Sequence, residues 1–187
     1  DAIGRVVDNT HYYTTTKAED LYGKHAIGFV HKLIVVLNEC EHKNTFALES
    51  ALKASITDTE LTVNAKNQQP RRVQNLAMLV VTTNKSDPLP IDTRTGDRRY
   101  NVSKATDAYL SKSTAFWAKL NKLFRQQEFI SSLYCYLNSL DVDSIDWKEK
   151  RRRFLGESYK AMVQHSIPTE VLYFMHLLRL KESNGVG

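Results

Sequence analysis

Two apolar runs in this chain end in groups that can handle a phosphate and a water. Leu33-Ile34-Val35-Val36-Leu37-Asn38-Glu39 closes on an amide and an acid, and Leu79-Val80-Val81-Thr82-Thr83-Asn84 closes on hydroxyls and an amide. A short, mostly β-branched run bounded by polar residues predicts a strand buried on both faces of a parallel sheet. In open α/β sheets, ligands bind beyond the carboxyl ends of such strands. Glu39 and Asn84 both fall there. An acid beside an amide at the end of a buried sheet is what a nucleotide hydrolase needs to orient a water and a γ-phosphate.

Charge adds a second chemistry. The net charge is +5, and the cations concentrate in Lys66 to Arg72, Arg94 to Arg99 and Lys148 to Arg153. A basic balance favours an acidic partner such as nucleic acid, though many basic proteins bind none. The first cluster lies in a tip, Lys66-Asn67-Gln68-Gln69-Pro70, between the alternating segments Leu61–Ala65 and Arg71–Asn75. That pattern predicts a β-hairpin. Lys66, Arg71 and Arg72 can meet phosphates, while Asn67 and Gln68 donate hydrogen bonds to sugar and phosphate. Such contacts position a strand without reading its sequence.

The elements around these residues predict an α/β first half. Residues 2–7 read as the tail of a helix, 11–16 as a short strand, 18–23 as a short helix closed by glycine, and 45–56 as an amphipathic helix. Asn84 to Asp97 reads as a loop and Arg98–Val102 as one more strand. From Asp107 to Leu140 the spacing predicts two long helices with a break at Asp141–Asp143. There, Phe116, Trp117, Phe124 and Tyr136 fall where core residues fall. A further helix is expected near Asp146, and a last one opens at Pro168-Thr169 with Ser166 as N-cap.

Length and composition bound the rest. The 187 residues, 42% hydrophobic and 25% charged, suit one domain or a core with a small appendage. No run approaches the ~20 apolar residues of a membrane span. Cys40 and Cys135 lie far apart without zinc-ligand spacing, as packed thiols in a reducing compartment do. The six histidines have no ligand spacing either.

The order of the parts is specific: acid-ending strand, helix, basic hairpin, Asn-ending strand, proline loop, Arg-Arg segment, helical region. It resembles the superfamily 3 helicases of viruses, phages and plasmids, above all the primase-associated AAA+ group that includes the poxvirus-type primase-helicases. Leu33–Glu39 resembles the Walker B strand, Glu60–Asn75 the hairpin before sensor 1, Leu79–Asn84 the sensor-1 strand, and Asp97-Arg98-Arg99-Tyr100 the arginine-finger region.

The resemblance implies an AAA+/RecA-like parallel-sheet ATPase core over residues 1–104 and a helical extension over 105–187. It implies ATP and Mg²⁺ as ligands, with Glu39 on the water, Asn84 on the γ-phosphate, and Asn38 with Glu39 near the metal. Either Arg98 or Arg99 would reach a neighbour's site, which implies a ring, a hexamer, acting on single-stranded DNA or RNA in a host cytoplasm.

Two departures stand out. No G-x-x-x-x-G-K-[ST] occurs, and Gly23-Lys24-His25 is no substitute for it. In the family that loop lies just upstream of where this chain begins, so the chain reads as a fragment. Asn38 also stands where the family has an acid, and a neutral amide is a weaker Mg²⁺ ligand.

The bland alternatives are a solvated carboxylate for Glu39, a turn residue for Asn84, Arg98 and Arg99 paired with Asp97 or Asp92, and a merely solvated hairpin tip. The rival function is a non-catalytic nucleic-acid-binding or assembly module with a degenerate ATPase fold.

Overall fold

The run Ile34–Leu37 is extended because branched side chains crowd a helix but pack well on a pleated surface. It becomes the middle of a three-stranded sheet. The computed structural model describes residues 2–24, 26–39, 49–86, 89, 99–146 and 156–183. In chain order these form α1 (Ala2–Val6), β1 (Tyr12–Thr15), α2 (Glu19–Tyr22), β2 (Ile34–Leu37), α3 (Glu49–Thr57), β3 (Glu60–Val63), β4 (Arg71–Gln74) and β5 (Met78–Val81). Then come α4 (Thr114–Leu123), α5 (Gln127–Ser139), α6 (Glu157–His165) and α7 (Thr169–Ser183). The fold is mixed α/β, a small parallel sheet with helices.

Strand order is β1-β2-β5, all parallel, and Leu37 lies in register with Thr15 and Val81. Alternate residues therefore share a face. Val35 and Leu37 turn into a core with Leu21, Phe29, Leu52, Tyr159 and Met162, while Tyr13, Leu79 and Val81 pack at its margin. Burying side chains of this size stabilises by roughly 1.5–3 kcal/mol each. Because Tyr159 and Met162 come from α6, the helical segment shares this core with the sheet. At the other end of the chain α1 packs against α5, and the Arg5 guanidinium donates to the Phe124 carbonyl at 3.1 Å.

β3 and β4 form an antiparallel hairpin outside that sheet. Asn75 fastens its base. The Asn75 amide donates to the carbonyls of Ser55 and Asp58, at 2.9 Å each, and its N–H donates to Thr59 O at 2.8 Å. The end of α3, the hairpin and the lead into β5 are thus tied at one residue.

Several expectations need correction. β5 is not buried on both faces: it is the edge strand among the described residues, with Met78 59% exposed. No strand forms over the described part of Arg98–Val102; Arg99 is in a turn and the backbone after it is irregular. Tyr100 and Val102 still pack against the core, and that alternation imitates a strand.

Gly23 does end α2, but with φ −69° and ψ 168°, not left-handed. Glycine is needed there because a Cβ would lie 2.4 Å from the Glu19 carbonyl oxygen. Ser166 does not cap α7. Its hydroxyl donates back to Met162 O at 2.9 Å, closing α6, while Pro168 O accepts from the N–H groups of Val171 and Leu172 in the first turn of α7. The expected helix start at Asp146–Trp147 lies largely outside the described residues, as do Lys148–Arg153 and Cys40.

Trp117 and Tyr136, spaced like core residues, are exposed, and Phe116 and Phe124 are only half-buried.

Candidate functional site

Parallel pairing in register brings the carboxyl ends of β1, β2 and β5 to one edge of the sheet. The ladder runs one residue beyond the strands: Asn38 N–H donates to Thr15 O at 2.8 Å, and Thr82 N–H to Leu37 O at 3.0 Å. Asn38 sits on the face of Val36, opposite the core. Its Nδ2 donates to Thr14 Oγ1 at 2.7 Å, and its Oδ1 accepts from Thr82 Oγ1 at 2.9 Å. One carboxamide therefore joins all three strands. Asn38, expected near a metal, has both ends of its amide engaged within the protein.

Glu39 follows at once with φ 52°, in the left-handed region, and its side chain is exposed. A non-glycine residue there costs on the order of 1 kcal/mol and persists only where the surroundings impose it. The turn throws the Glu39 carboxylate off the end of β2, where it forms no ion pair among the described residues. Asn84 emerges from the same edge, three residues past β5, and is also exposed. It lies in a bend begun by Thr83, whose Oγ1 accepts from Lys85 N–H at 2.9 Å.

So the topology brings Glu39 and Asn84 to one edge of neighbouring strands. Arg99 is exposed, next to half-buried Tyr100, which packs against the core, and Arg98 lies outside the described residues. No cluster of three or more His, Cys, Asp or Glu side chains among the described residues could hold a metal.

The hairpin carries the second set. Lys66, Asn67 and Gln68 are all exposed at its tip. Asn67 takes φ 61°, which asparagine tolerates better than most residues, and Gln68 N–H donates to Ala65 O at 3.1 Å to close the turn. Arg71 pairs across the ladder with Val63 and Arg72 with Thr62, so the two arginines leave opposite faces and do not project together. Arg72 approaches Glu60 at 3.6 Å, both being well exposed, beside a shallow depression of about 300 Å³ lined by Asp58, Glu60 and Thr62 among others.

The residues that sequence reasoning missed are Thr14, Thr82 and Asn75. Thr82 had a signal, as the first polar residue after β5 in register with Asn38. Thr14 had none without the pairing of β1 with β2. Lys53 pairs with Glu49 one turn earlier on α3.

No helix among the described residues is long and apolar enough to cross a membrane. Over 136 residues the chain is 26% identical to the DNA primase-polymerase of Nitratiruptor phage NrS-1, a match covering 71% of this chain and 18% of that protein. The fold is similar to the apo structure of the NrS-1 C-terminal region, with a TM-score of 0.67 and 21% identity, over 90% of this chain and 40% of that one. A further apo form of that region matches with a TM-score of 0.65 and 22% identity, over 89% and 39%. The chain thus spans under a fifth of the phage protein's length and about two-fifths of its solved C-terminal region. A profile of one family matches residues 1–99, more than half of the sequence, and the chain belongs to that family, the family of unknown function DUF5906.

Proposed function

We infer that this chain is part of an ATP-dependent replicative helicase of the primase-helicase type, acting on single-stranded nucleic acid. The observation that carries the reading is one edge of the parallel sheet. There Glu39 and Asn84 leave neighbouring strands, and a polar, basic hairpin is inserted in the chain between them. The likeness to a phage DNA primase-polymerase supports a role in phage DNA replication. In this reading residues 1–104 are the later part of an AAA+ ATPase core and 105–187 its helical extension.

Glu39 orients the attacking water, and Asn84 contacts the γ-phosphate of Mg²⁺-bound ATP. Arg98 or Arg99 serves the neighbouring site in a hexameric ring, in the host cytoplasm. A guanidinium placed on the transferring phosphoryl group is worth 10³–10⁵ in rate. Lys66, Asn67, Gln68, Arg71 and Arg72 track the strand. The residues here fit the water and γ-phosphate side of a nucleotide; the phosphate-cradling loop and its lysine are not among them.

The test is Glu39→Gln in a longer protein that carries this chain together with a phosphate-cradling loop. Turnover should vanish while ATP binding persists, because the amide keeps the size and loses the charge that orients water. An unchanged kcat would return Glu39 to a solvated carboxylate.

The second reading is a non-catalytic nucleic-acid or assembly module. Asn38 favours it, since an amide committed to Thr14 and Thr82 stands where the resembling enzymes have an acid. Absence of nucleotide binding in the longer protein would select it.

A further inference from the structure

The two strands of the hairpin are held to the body of the chain unevenly. On β3, Val63 is buried and Leu61 packs at the margin of the core. On β4, Arg71, Arg72 and Gln74 are exposed and only Val73 is half-buried. β4 thus carries two of the hairpin's cations and little of its apolar anchorage. Its polar anchorage comes one residue past its end, at Asn75.

Asn75 belongs to three elements at once. Its backbone N–H extends the hairpin ladder, donating to Thr59 O at 2.8 Å. Its Nδ2 donates at 2.9 Å to both Ser55 O and Asp58 O. Ser55 lies in the last turn of α3, where carbonyls run out of partners within the helix. Only Leu76 and Ala77 separate Asn75 from the first ladder bond of β5, Met78 N–H to Leu33 O at 2.8 Å. From there β5 runs along β2 to Thr82, whose N–H donates to Leu37 O and whose hydroxyl donates to Asn38 Oδ1. Every link from the hairpin base to the carboxyl edge of the sheet is therefore a hydrogen bond or a short stretch of backbone.

We propose that Asn75 is a positioning residue that couples the hairpin to the carboxyl edge of the sheet, so that a single strand held at the tip is felt at Glu39 and Asn84. That role rests on the function proposed above and adds the regulation of its site. A load on the tip turns the hairpin about its base. With the Asn75 carboxamide in place, the base turns together with the end of α3 and the lead into β5. Without it, β4 pivots through Leu76 and Ala77, and β5 stays where β2 holds it. The element with two arrangements is the hairpin base, tied or untied. A side chain needed for stability alone would lower the folded population and leave unchanged what a bound strand does to the folded chain.

The experiment is hydrogen exchange in the full chain, with and without saturating oligo(dT), read at the Met78 and Thr82 amides that bond β5 to β2. The Ile130 amide, which donates to Gln126 O in α5, controls for stabilisation of the whole fold. In the parent, oligo(dT) should change exchange at Met78 and Thr82 by about fivefold or more beyond any change at Ile130, the lower end of coupling between two sites. In Asn75→Ala that difference should vanish while oligo(dT) affinity, set by the tip, is kept. Asn75→Gln keeps both N–H donors and should keep part of the difference. In the longer protein, Asn75→Ala should retain basal ATP turnover and lose its stimulation by single strands.

A parent chain in which oligo(dT) changes Met78 and Thr82 no more than Ile130 overturns the proposal, whether or not the alanine variant folds. So does an Asn75→Ala chain that keeps the full difference. A longer protein that hydrolyses no ATP, with exchange behaving as expected, removes the helicase reading and leaves the coupling through Asn75 standing.

Discussion

Asn38 and Thr82 are joined by a 2.9 Å hydrogen bond from the threonine hydroxyl to the carboxamide oxygen, across the carboxyl ends of two parallel strands. The same amide reaches back 2.7 Å to Thr14 on the third strand. The edge that presents Glu39 and Asn84 is thus fixed by side chains as well as by the backbone ladder. Asn38→Ala removes both bonds and should cost about 1–3 kcal/mol. Urea denaturation should show a lower midpoint at unchanged slope. Asn38→Asp should cost less, because both threonine hydroxyls can turn to donate to a carboxylate. An alanine variant as stable as the parent would mean the amide closes nothing.

Glu39 gives the opposite sign. Its φ of 52° suits glycine better than an L-residue. Glu39→Gly should leave the chain as stable as the parent, or more stable by up to about 1 kcal/mol, while removing the carboxylate the proposed chemistry needs. Thermal unfolding decides. A loss above about 1 kcal/mol, on the same scale, would mean that the Glu39 side chain has a structural role.

Asn75 is where hairpin, α3 and β5 meet, through two side-chain bonds of 2.9 Å. Asn75→Asp should destabilise more than Asn75→Ala, because the carboxylate faces two carbonyl oxygens and can donate to neither. Expected losses are about 1–3 kcal/mol for alanine and more for aspartate, read as shifts in the thermal midpoint. Equal losses would argue that the amide is not the tie.

Some of this was legible from residue pattern, and some depends on partners distant in sequence. β2 and the hairpin were readable because local periodicity carries them: a continuous apolar run, then alternation on either side of a polar tip. Glu39 and Asn84 at strand ends followed from the same runs. That β5 is the edge strand among the described residues was not legible, since Met78-Leu79-Val80-Val81 has the composition of a buried strand and only pairing tells otherwise. The Asn38 clip needs Thr14, far earlier in the chain, which only the β1–β2 register brings opposite. Trp117 and Tyr136 have core spacing yet face water, because periodicity marks a face and not what covers it.

Two side chains set pH limits of opposite sense. The Asp8 carboxyl lies below its ordinary 3.8, mainly because Thr10 N–H donates to it at 2.8 Å, and further because the Thr10 hydroxyl does so at 3.0 Å. A lowered folded-state pKa gives stability present above 3.8 and lost as pH falls through the folded value. Tyr13 lies above its ordinary 10.0, first through burial and then through the Asp20 charge. A raised pKa gives stability kept below 10.0 and lost as pH rises through the folded value. Urea midpoints against pH should therefore show a shallower acid limb for Asp8→Asn and a shallower alkaline limb for Tyr13→Phe. Parallel limbs in parent and variants would refute the assignment.

The hairpin makes the last prediction. Arg72 leaves one face beside Glu60, and Arg71 leaves the other. An ion pair this exposed is worth little to folding, so Glu60→Gln should leave stability unchanged. If the hairpin tracks a phosphate backbone, the same substitution should tighten oligo(dT) binding, because it removes an acid and releases a guanidinium. Arg72→Ala should then weaken binding in the Glu60→Gln background more than in the parent. Replacing Lys66, Arg71 and Arg72 together by Ala should lower the salt slope by about 0.7 per phosphate no longer neutralised, nearly independently of base sequence. In the longer protein, basal ATP turnover should survive that change while its stimulation by single strands falls, since the tip is remote in sequence from the strand ends that carry Glu39 and Asn84. A Glu60→Gln chain that binds no tighter, together with a triple variant of unchanged slope, would make the tip a solvated turn.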